Sequence, residues 1–375
     1  MKQQSDALMV TSSVNYAFYR RRILALHNTG LPIKVIGFQS NLGYKPLDLP
    51  VEVISIGSIN IGKYLERIWT YLSSVLKIRK VSKNSGLLYV FGFDMLLLTI
   101  LSQFFIKRKP IIYEVHDIRD LLLSSGIKGR VFRFLEKISV NRCSLLVLTS
   151  DSYRRNYYEK ILGVKNVPSF IMENKLIAED IHYNNSPLVI KENFIKIGYF
   201  GALRCPASWN ILRRLAREGN GKFKIFLRGI PIGLECFEEE CRTIPNLEYG
   251  GPYRDPDELS EIYQQADLIW AAGFQQKKSF RWSRTCRFYN ACCFKRPLVV
   301  QSDTDDGEVV NKLNIGQVID LNNAGEALQK VNGITKTQIE QWYRNLQELP
   351  VTTYQYTDEH TRLNDICKGL LAAKG

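Results

Sequence analysis

The chain has 375 residues, with 51 Lys+Arg against 37 Asp+Glu and a formal charge of +14. Hydrophobic residues at 45% and charged residues at 23% are ordinary for a globular protein of two or so domains, which excludes global disorder and collagen-like or coiled-coil architecture. Eight cysteines with no Cys-x-x-Cys pair, none at zinc spacing from any of four histidines, argue against a disulfide scaffold or a structural zinc.

In chain order, near-continuous apolar runs predict strands at Ala7–Ser12, Ile33–Phe38, Val51–Ile56, Leu87–Phe91, Ile111–His116 and Leu145–Thr149. Without in/out alternation, such runs suit parallel strands covered on both faces. Between them Tyr16–Thr29, Ile61–Lys83, Gly129–Arg142 and Asp151–Leu162 read as helices. Met95–Ile106 (MLLLTILSQFFI) is too short to cross a bilayer and reads as a helix buried in a core. A polar stretch, Ala178–Glu192, reads as a linker.

The rhythm then restarts, with strands predicted at Ile195–Phe200, Phe223–Leu227, Leu247–Gly250, Leu268–Ala271, Leu298–Gln301 and Val318–Leu321. Intervening helices are predicted at Ser208–Glu218, Leu234–Cys241, Pro256–Ala266, Cys286–Phe294 and Glu308–Leu313. After Leu321 the chain reads as helical, ending in Glu359–Ala373. The expected architecture is α/β, with two Rossmann-like doubly wound domains facing a cleft and a helical tail. Domain boundaries are expected at 1–180, 193–350 and 351–375, the last segment packing back on the first domain.

Charge is uneven along the chain. Residues 1–187 contain 26 Lys+Arg and 14 Asp+Glu, so they carry +12 of the +14. An anionic membrane surface, a polyanionic acceptor or nucleic acid would complement such a lobe, and a merely soluble basic surface is the plain alternative.

Neither a Walker A sequence nor a G-x-G-x-x-G fingerprint is present. The second half instead offers Ile197-Gly198-Tyr199-Phe200-Gly201-Ala202-Leu203-Arg204, a buried strand entering a glycine turn with an arginine at its exit. Glycine lets backbone approach a ligand closely, and arginine can bond phosphate oxygens in pairs. Arg281–Asn290 (RWSRTCRFYN) brings Arg284 and Arg287 to a predicted helix start, where exposed N–H groups favour an anion; a solvated basic face is the alternative. Tyr113–Asp120 (YEVHDIRD) puts His116 and Asp117 at the carboxyl end of a strand, where His could donate to a sugar hydroxyl or phosphate and Asp could act as a general base.

These residues resemble the GT-B glycosyltransferases, and within them the family 4-like (group 1) enzymes of bacterial surface polysaccharide assembly. YRRRILALHNTG (Tyr19–Gly30), YEVHDIRD, LLVLTSDSYRRNYY (Leu145–Tyr158), IMEN (Ile171–Asn174), IGYFGALR, LEYGGPY (Leu247–Tyr253), ELSEIYQQADLIWA (Glu258–Ala271) and RFYNACCFKRPLVV (Arg287–Val300) follow in the family's order. The resemblance implies a nucleotide-sugar donor, UDP- or GDP-linked, on the C-terminal lobe and a glycan or lipid-linked oligosaccharide acceptor on the N-terminal lobe. It also implies no obligatory metal or other cofactor. Carried over by position, Gly201, Arg204, Arg284, Arg287, Asn290 and Gly307 would hold the donor, while His116 and Asp117 would be catalytic. The DTDD run at 303–306 would precede the loop at Gly307, where the family approaches the donor with backbone.

Two departures stand out. The family's Glu-x7-Glu pair is replaced by Trp282 and Asn290, a neutral amide where a carboxylate usually holds ribose. The usual Lys beyond the glycine turn is replaced by Cys205–Asn210 (CPASWN), with Lys277, Lys278 or Arg284 as possible substitutes. The expected function is sugar transfer to a lipid-linked glycan, in the cytoplasm or on the inner face of the cytoplasmic membrane. A GT-B nucleotide-sugar epimerase and a basic nucleic-acid-binding protein are the alternatives, the latter without any supporting motif.

Overall fold

The computed structural model describes residues 6–14, 17–40, 49–59, 64–104, 106–178, 181, 193–273 and 278–373. Most of the predicted linker Ala178–Glu192, and Lys277, lie outside the described residues. The chain divides into two compact units, one of Met1–Glu173 with Thr357–Gly375 and one of Asn174–Tyr356.

The first unit runs β1 (Asp6–Thr11), α1 (Ala17–Asn28), β2 (Ile33–Ser40), β3 (Glu52–Ile59), α2 (Tyr64–Ser82), β4 (Ser85–Phe91), α3 (Phe93–Ser102), β5 (Ile111–Val115), α4 (Asp120–Leu123), α5 (Ile127–Val140), β6 (Leu145–Leu148), α6 (Asp151–Tyr153) and β7 (Ser169–Ile171). Its seven strands are ordered β3-β2-β1-β4-β5-β6-β7 and every pairing is parallel. β5 and β6 are buried along their whole length, which is why they read as unbroken apolar runs. The helix predicted from Asp151 begins at an N-cap, Ser150 Oγ accepting from Ser152 N, and continues as a π-helical turn over Arg154–Glu159.

The second unit runs β8 (Ile195–Leu203), α7 (Pro206–Glu218), β9 (Phe223–Pro231), α8 (Phe237–Thr243), β10 (Leu247–Tyr249), α9 (Leu259–Gln264), β11 (Leu268–Trp270), α10 (Cys286–Cys293), β12 (Leu298–Gln301), α11 (Asp305–Leu313), β13 (Gly316–Ile319), α12 (Ala324–Asn332) and α13 (Lys336–Gln347). Six parallel strands are ordered β10-β9-β8-β11-β12-β13. Two apolar cores flank this sheet, one including Trp209, Leu212 and Trp342 and the other Phe288, Tyr289 and Val310. The chain forms the expected pair of doubly wound sheets.

The chain enters and leaves the second unit through paired segments. Leu176 N donates to Tyr354 O and Tyr356 N donates to Leu176 O, both at 2.9 Å, forming an isolated parallel bridge between Leu176 and Gln355. The last helix, α14 (Glu359–Ala372), belongs to the first unit and packs on α1 and β4. Asn364 Nδ2 there donates to Thr29 O at the end of α1. No described helix is long and apolar enough to cross a membrane.

Candidate active site

In a doubly wound sheet, ligands bind beyond the carboxyl ends of the strands, at the point where strand order reverses. That point lies between β1 and β4 in the first unit and between β8 and β11 in the second. Both positions are occupied by the residues that sequence singled out, or by their immediate neighbours.

At the first reversal, Tyr19 on α1 is hydrogen-bonded to Ser12 just past β1, with 2.9 Å between the hydroxyls. Its ring lies 4.8 Å from Phe91 at the end of β4 and 5.8 Å from His116 just past β5. Phe91 and His116 stack at 5.7 Å. Asp117 follows on the exposed side of the strand end.

Beneath His116 lies a buried charge network. Arg22, on α1, donates from Nε to both oxygens of Glu114 at 3.0 and 3.1 Å, and the two side chains are 2% and 0% exposed. The Tyr89 hydroxyl donates to the same carboxylate, and Arg22 Nη1 lies 3.0 Å from His360 Nε2 on α14. Burial pushes the Glu114 carboxyl upward, while Arg22 and Tyr89 pull it back. His116, with Nδ1 3.7 Å from Glu114 Oε1, is pushed well below the usual histidine range, first by burial and then by Arg22. The same two causes, in the same order, take His360 down to about 3. The imidazole at the strand end is therefore neutral at physiological pH, able to accept or donate a hydrogen bond to a sugar hydroxyl.

At the second reversal the material is backbone. Gly201 has φ +96° and pairs in register with Gly229, where an added Cβ would sit 1.8 Å from Gly201 O. Only glycine at 229 lets the strands approach so closely. Arg287, in the first turn of α10, donates from Nε to Phe200 O at 2.5 Å and from Nη2 to Ala202 O at 2.8 Å. Its guanidinium also lies 4.6 Å from the Tyr199 ring centre. Arg287 thus clamps the glycine turn from both sides. Arg204 is exposed one residue past the strand.

The start of α10 is tied to the start of α11. Thr285 caps α10, its Oγ1 accepting from Phe288 N at 3.2 Å, and it donates from N and Oγ1 to Asp306, the latter at 2.8 Å. Arg284 pairs with Asp305 at 3.1 Å. Burial raises the Asp306 carboxyl to about 7, against the pull of the Thr285 bonds and Arg284.

The structure therefore gathers Gly201, Arg287, Arg204 and the cap region of Arg284 at one edge of the second sheet. Asn290 follows Arg287 by one turn on α10, and Gly307 follows Asp306 in the first turn of α11. Asn290 is 9% exposed, on the buried face of α10 with Phe288 and Tyr289. Gly307 N donates to Thr304 Oγ1 at 3.0 Å, and a Cβ at 307 would come 2.5 Å from Gln301 O. That glycine is demanded by helix-to-strand packing. Sequence reasoning passed over Ser12, Tyr19, Arg22, Tyr89, Glu114 and His360; only the strand-end position of Glu114, two residues before His116, carried a local signal. Among the described residues no group of three or more His, Cys, Asp and Glu could hold a metal ion.

No protein-family model matches the chain. The succinoglycan biosynthesis protein ExoL of Rhizobium meliloti (strain 1021) is 29% identical over 315 residues, covering 80% of this chain and 77% of ExoL. A sucrose-phosphate synthase from Thermosynechococcus elongatus superimposes with a TM-score of 0.74 at 11% identity, covering 98% of this chain and 100% of the synthase. Anabaena HepE in complex with UDP-glucose superimposes with a TM-score of 0.68 at 13% identity, covering 97% and 99% of the two chains. Two Rossmann-like units, each with its own strand-order reversal and superimposing on these proteins over nearly the whole length, make this a protein of the GT-B glycosyltransferase fold.

Proposed function

We propose that this protein is a glycosyltransferase that moves a sugar from a nucleotide-sugar donor to a glycan acceptor in cell-surface polysaccharide assembly. The observation that carries the reading is the pair of strand-end sites. An imidazole stacked on Phe91 and an exposed carboxylate stand at one reversal, and a glycine turn with arginines and capped helix starts stands at the other. The first set suits sugar hydroxyls and a general base, and the second suits a diphosphate. ExoL, by its name, serves succinoglycan biosynthesis, and HepE binds UDP-glucose; both agree with this assignment.

In this reading Arg204 contacts the donor diphosphate, and Arg287 holds the glycine turn open to it while adding positive charge. Arg284 biases the same helix start, with Gly201 providing close backbone approach. His116 hydrogen-bonds the transferred sugar, and Asp117 takes the acceptor proton if the reaction inverts. Asn290 offers its amide to the donor, and Gly307 gives close backbone approach at the start of α11. The donor is a UDP- or GDP-sugar, bound without an obligatory metal. The acceptor is lipid-linked and the enzyme works on the inner face of the cytoplasmic membrane, as the +12 carried by residues 1–187 favours an anionic surface.

A thermal-shift screen against UDP, GDP, CMP and their sugar conjugates tests the donor. Stabilisation by one nucleoside diphosphate and its sugar conjugate is expected, because a ligand that binds only the folded state raises the melting temperature. Indifference to all of them would remove the assignment.

A further inference from the structure

Helix α5 is built inside out. Its buried side carries Glu136, 1% exposed, which accepts hydrogen bonds from the hydroxyls of Tyr157, Tyr158 and Tyr113, the last two at 3.2 and 3.4 Å. Its outward side carries Ile127, Val131, Phe134, Leu135 and Ile138, which are 80%, 50%, 63%, 39% and 42% exposed. At 3.6 residues per turn these five fall within an arc of about 100°, opposite Glu136. Exposed Lys128 borders the stripe on one side, and exposed Arg130 and Lys137 border it on the other. Glu136 is the only acid on the helix, and it faces inward.

A globular helix normally turns its apolar stripe to the core. Here the core side is held by a carboxylate among tyrosines, and the apolar stripe with its basic rim is left to solvent. A contiguous apolar patch with a charged border marks an interaction surface.

We propose that α5 is the element by which this protein docks on an anionic lipid surface, lying in the interface plane with the Ile127–Ile138 stripe among the acyl chains and its basic rim at the headgroups. The proposal rests on the membrane-associated reading above and gives it a location. Large apolar side chains on one side and lysine and arginine at the borders are the composition of an interfacial helix. Charge selects lipid over a second copy of the chain. An isologous dimer through this stripe would bring two basic rims together with no acid on either helix to pair with them. Anionic headgroups complement the rim directly.

Vesicle co-sedimentation tests the assignment, using phosphatidylcholine alone and phosphatidylcholine containing phosphatidylglycerol. Wild-type protein is expected to bind the anionic vesicles and to be released by high salt. Ile127→Ser combined with Phe134→Ser should lower that binding about tenfold or more, with the melting temperature unchanged because both side chains are exposed. Lys128→Ser with Arg130→Ser and Lys137→Ser should abolish the preference for anionic over neutral vesicles. Stabilisation by UDP or GDP, measured on the same preparations, is independent of both variants. Its absence in the wild type would remove the donor reading and leave the lipid result standing. Wild-type protein that ignores both kinds of vesicle overturns the proposal. So does a serine double variant retained as well as wild type, or a stripe whose mutation only converts a dimer to a monomer.

Discussion

The two strand-order reversals solve one problem, presenting polar groups beyond a buried parallel sheet, with opposite materials. In the first unit the polarity is side-chain charge drawn from distant segments. Arg22 reaches Glu114 from 92 residues earlier in the chain and in turn touches His360, 338 residues further on. In the second it is main chain, two glycines in register and an arginine bonded to the carbonyls on either side of one of them. A buried ion pair holds one geometry only while both partners remain, so the first site is sensitive to stability. Backbone presentation is held by packing, so the second is sensitive to shape and to local positive charge.

The sharpest way to break this contrast is Arg22→Ala, which leaves the Glu114 carboxylate buried without its counter-charge. A loss of about 3–5 kcal/mol in urea unfolding is expected. Adding Glu114→Gln should recover a substantial part, because the stranded charge is then gone. An Arg22→Ala variant as stable as wild type would remove the claim that the first site rests on this pair.

A second test compares pH dependence. The Glu136 carboxyl, raised by burial from 4.5 to about 7, is protonated in both folded and unfolded chains below pH 4.5. Between these two values the unfolded chain releases its proton and the folded chain keeps it. The associated stability is therefore full below 4.5 and is lost as pH rises to about 7, on the order of 3 kcal/mol. Glu136→Gln has no such loss, so its stability relative to wild type should rise between pH 4.5 and 7 and level off above. A constant difference across that range would contradict the assignment.

In the second unit, Arg287→Ala should weaken nucleoside diphosphate binding by about tenfold or more, or 1.4 kcal/mol, measured by calorimetry. It should also lower the melting temperature, since two backbone carbonyls lose their donor. Arg204→Ala should cost similar affinity and leave the melting temperature unchanged, because that side chain is exposed. Unchanged affinity in both folded variants would move the donor site elsewhere. The smallest effect is expected from Asp306→Asn, an isosteric change that keeps an acceptor for Thr285 and should shift donor affinity by about threefold or less.

Much of the fold was legible in the apolar runs, with strand ends displaced by a few residues. β8 and β9 extend past their predicted ends to Leu203 and Pro231, because the ladder runs on through the Gly201–Gly229 pair that a sequence reading takes for a turn. β7 (Ser169–Ile171) escaped notice because a three-residue edge strand has too few side chains to display a period. β13 begins at Gly316, two residues before its predicted start at Val318, as the ladder to β12 starts opposite Leu298. At the sites, His116, Asp117, Gly201, Arg204, Arg284 and Arg287 could be singled out because each stands beside a strand end or a helix start. Nothing local distinguishes Arg22 from Arg20 and Arg21 before it, and only the structure shows it 3% exposed against Glu114.

What the sequence by itself determined is the alternation of two-sided apolar strands with helices, repeated in two halves, and the polar residues that mark the strand ends. Those follow from local hydropathy and turn chemistry, which act over a few residues. Tertiary structure alone decided which charges are buried together, that Arg287 bonds backbone carbonyls, that Gly307 answers to packing, and that α5 turns its apolar stripe outward. Each of these depends on what stands opposite a side chain across the fold, and a periodic pattern records that one face is apolar without recording which way the face points.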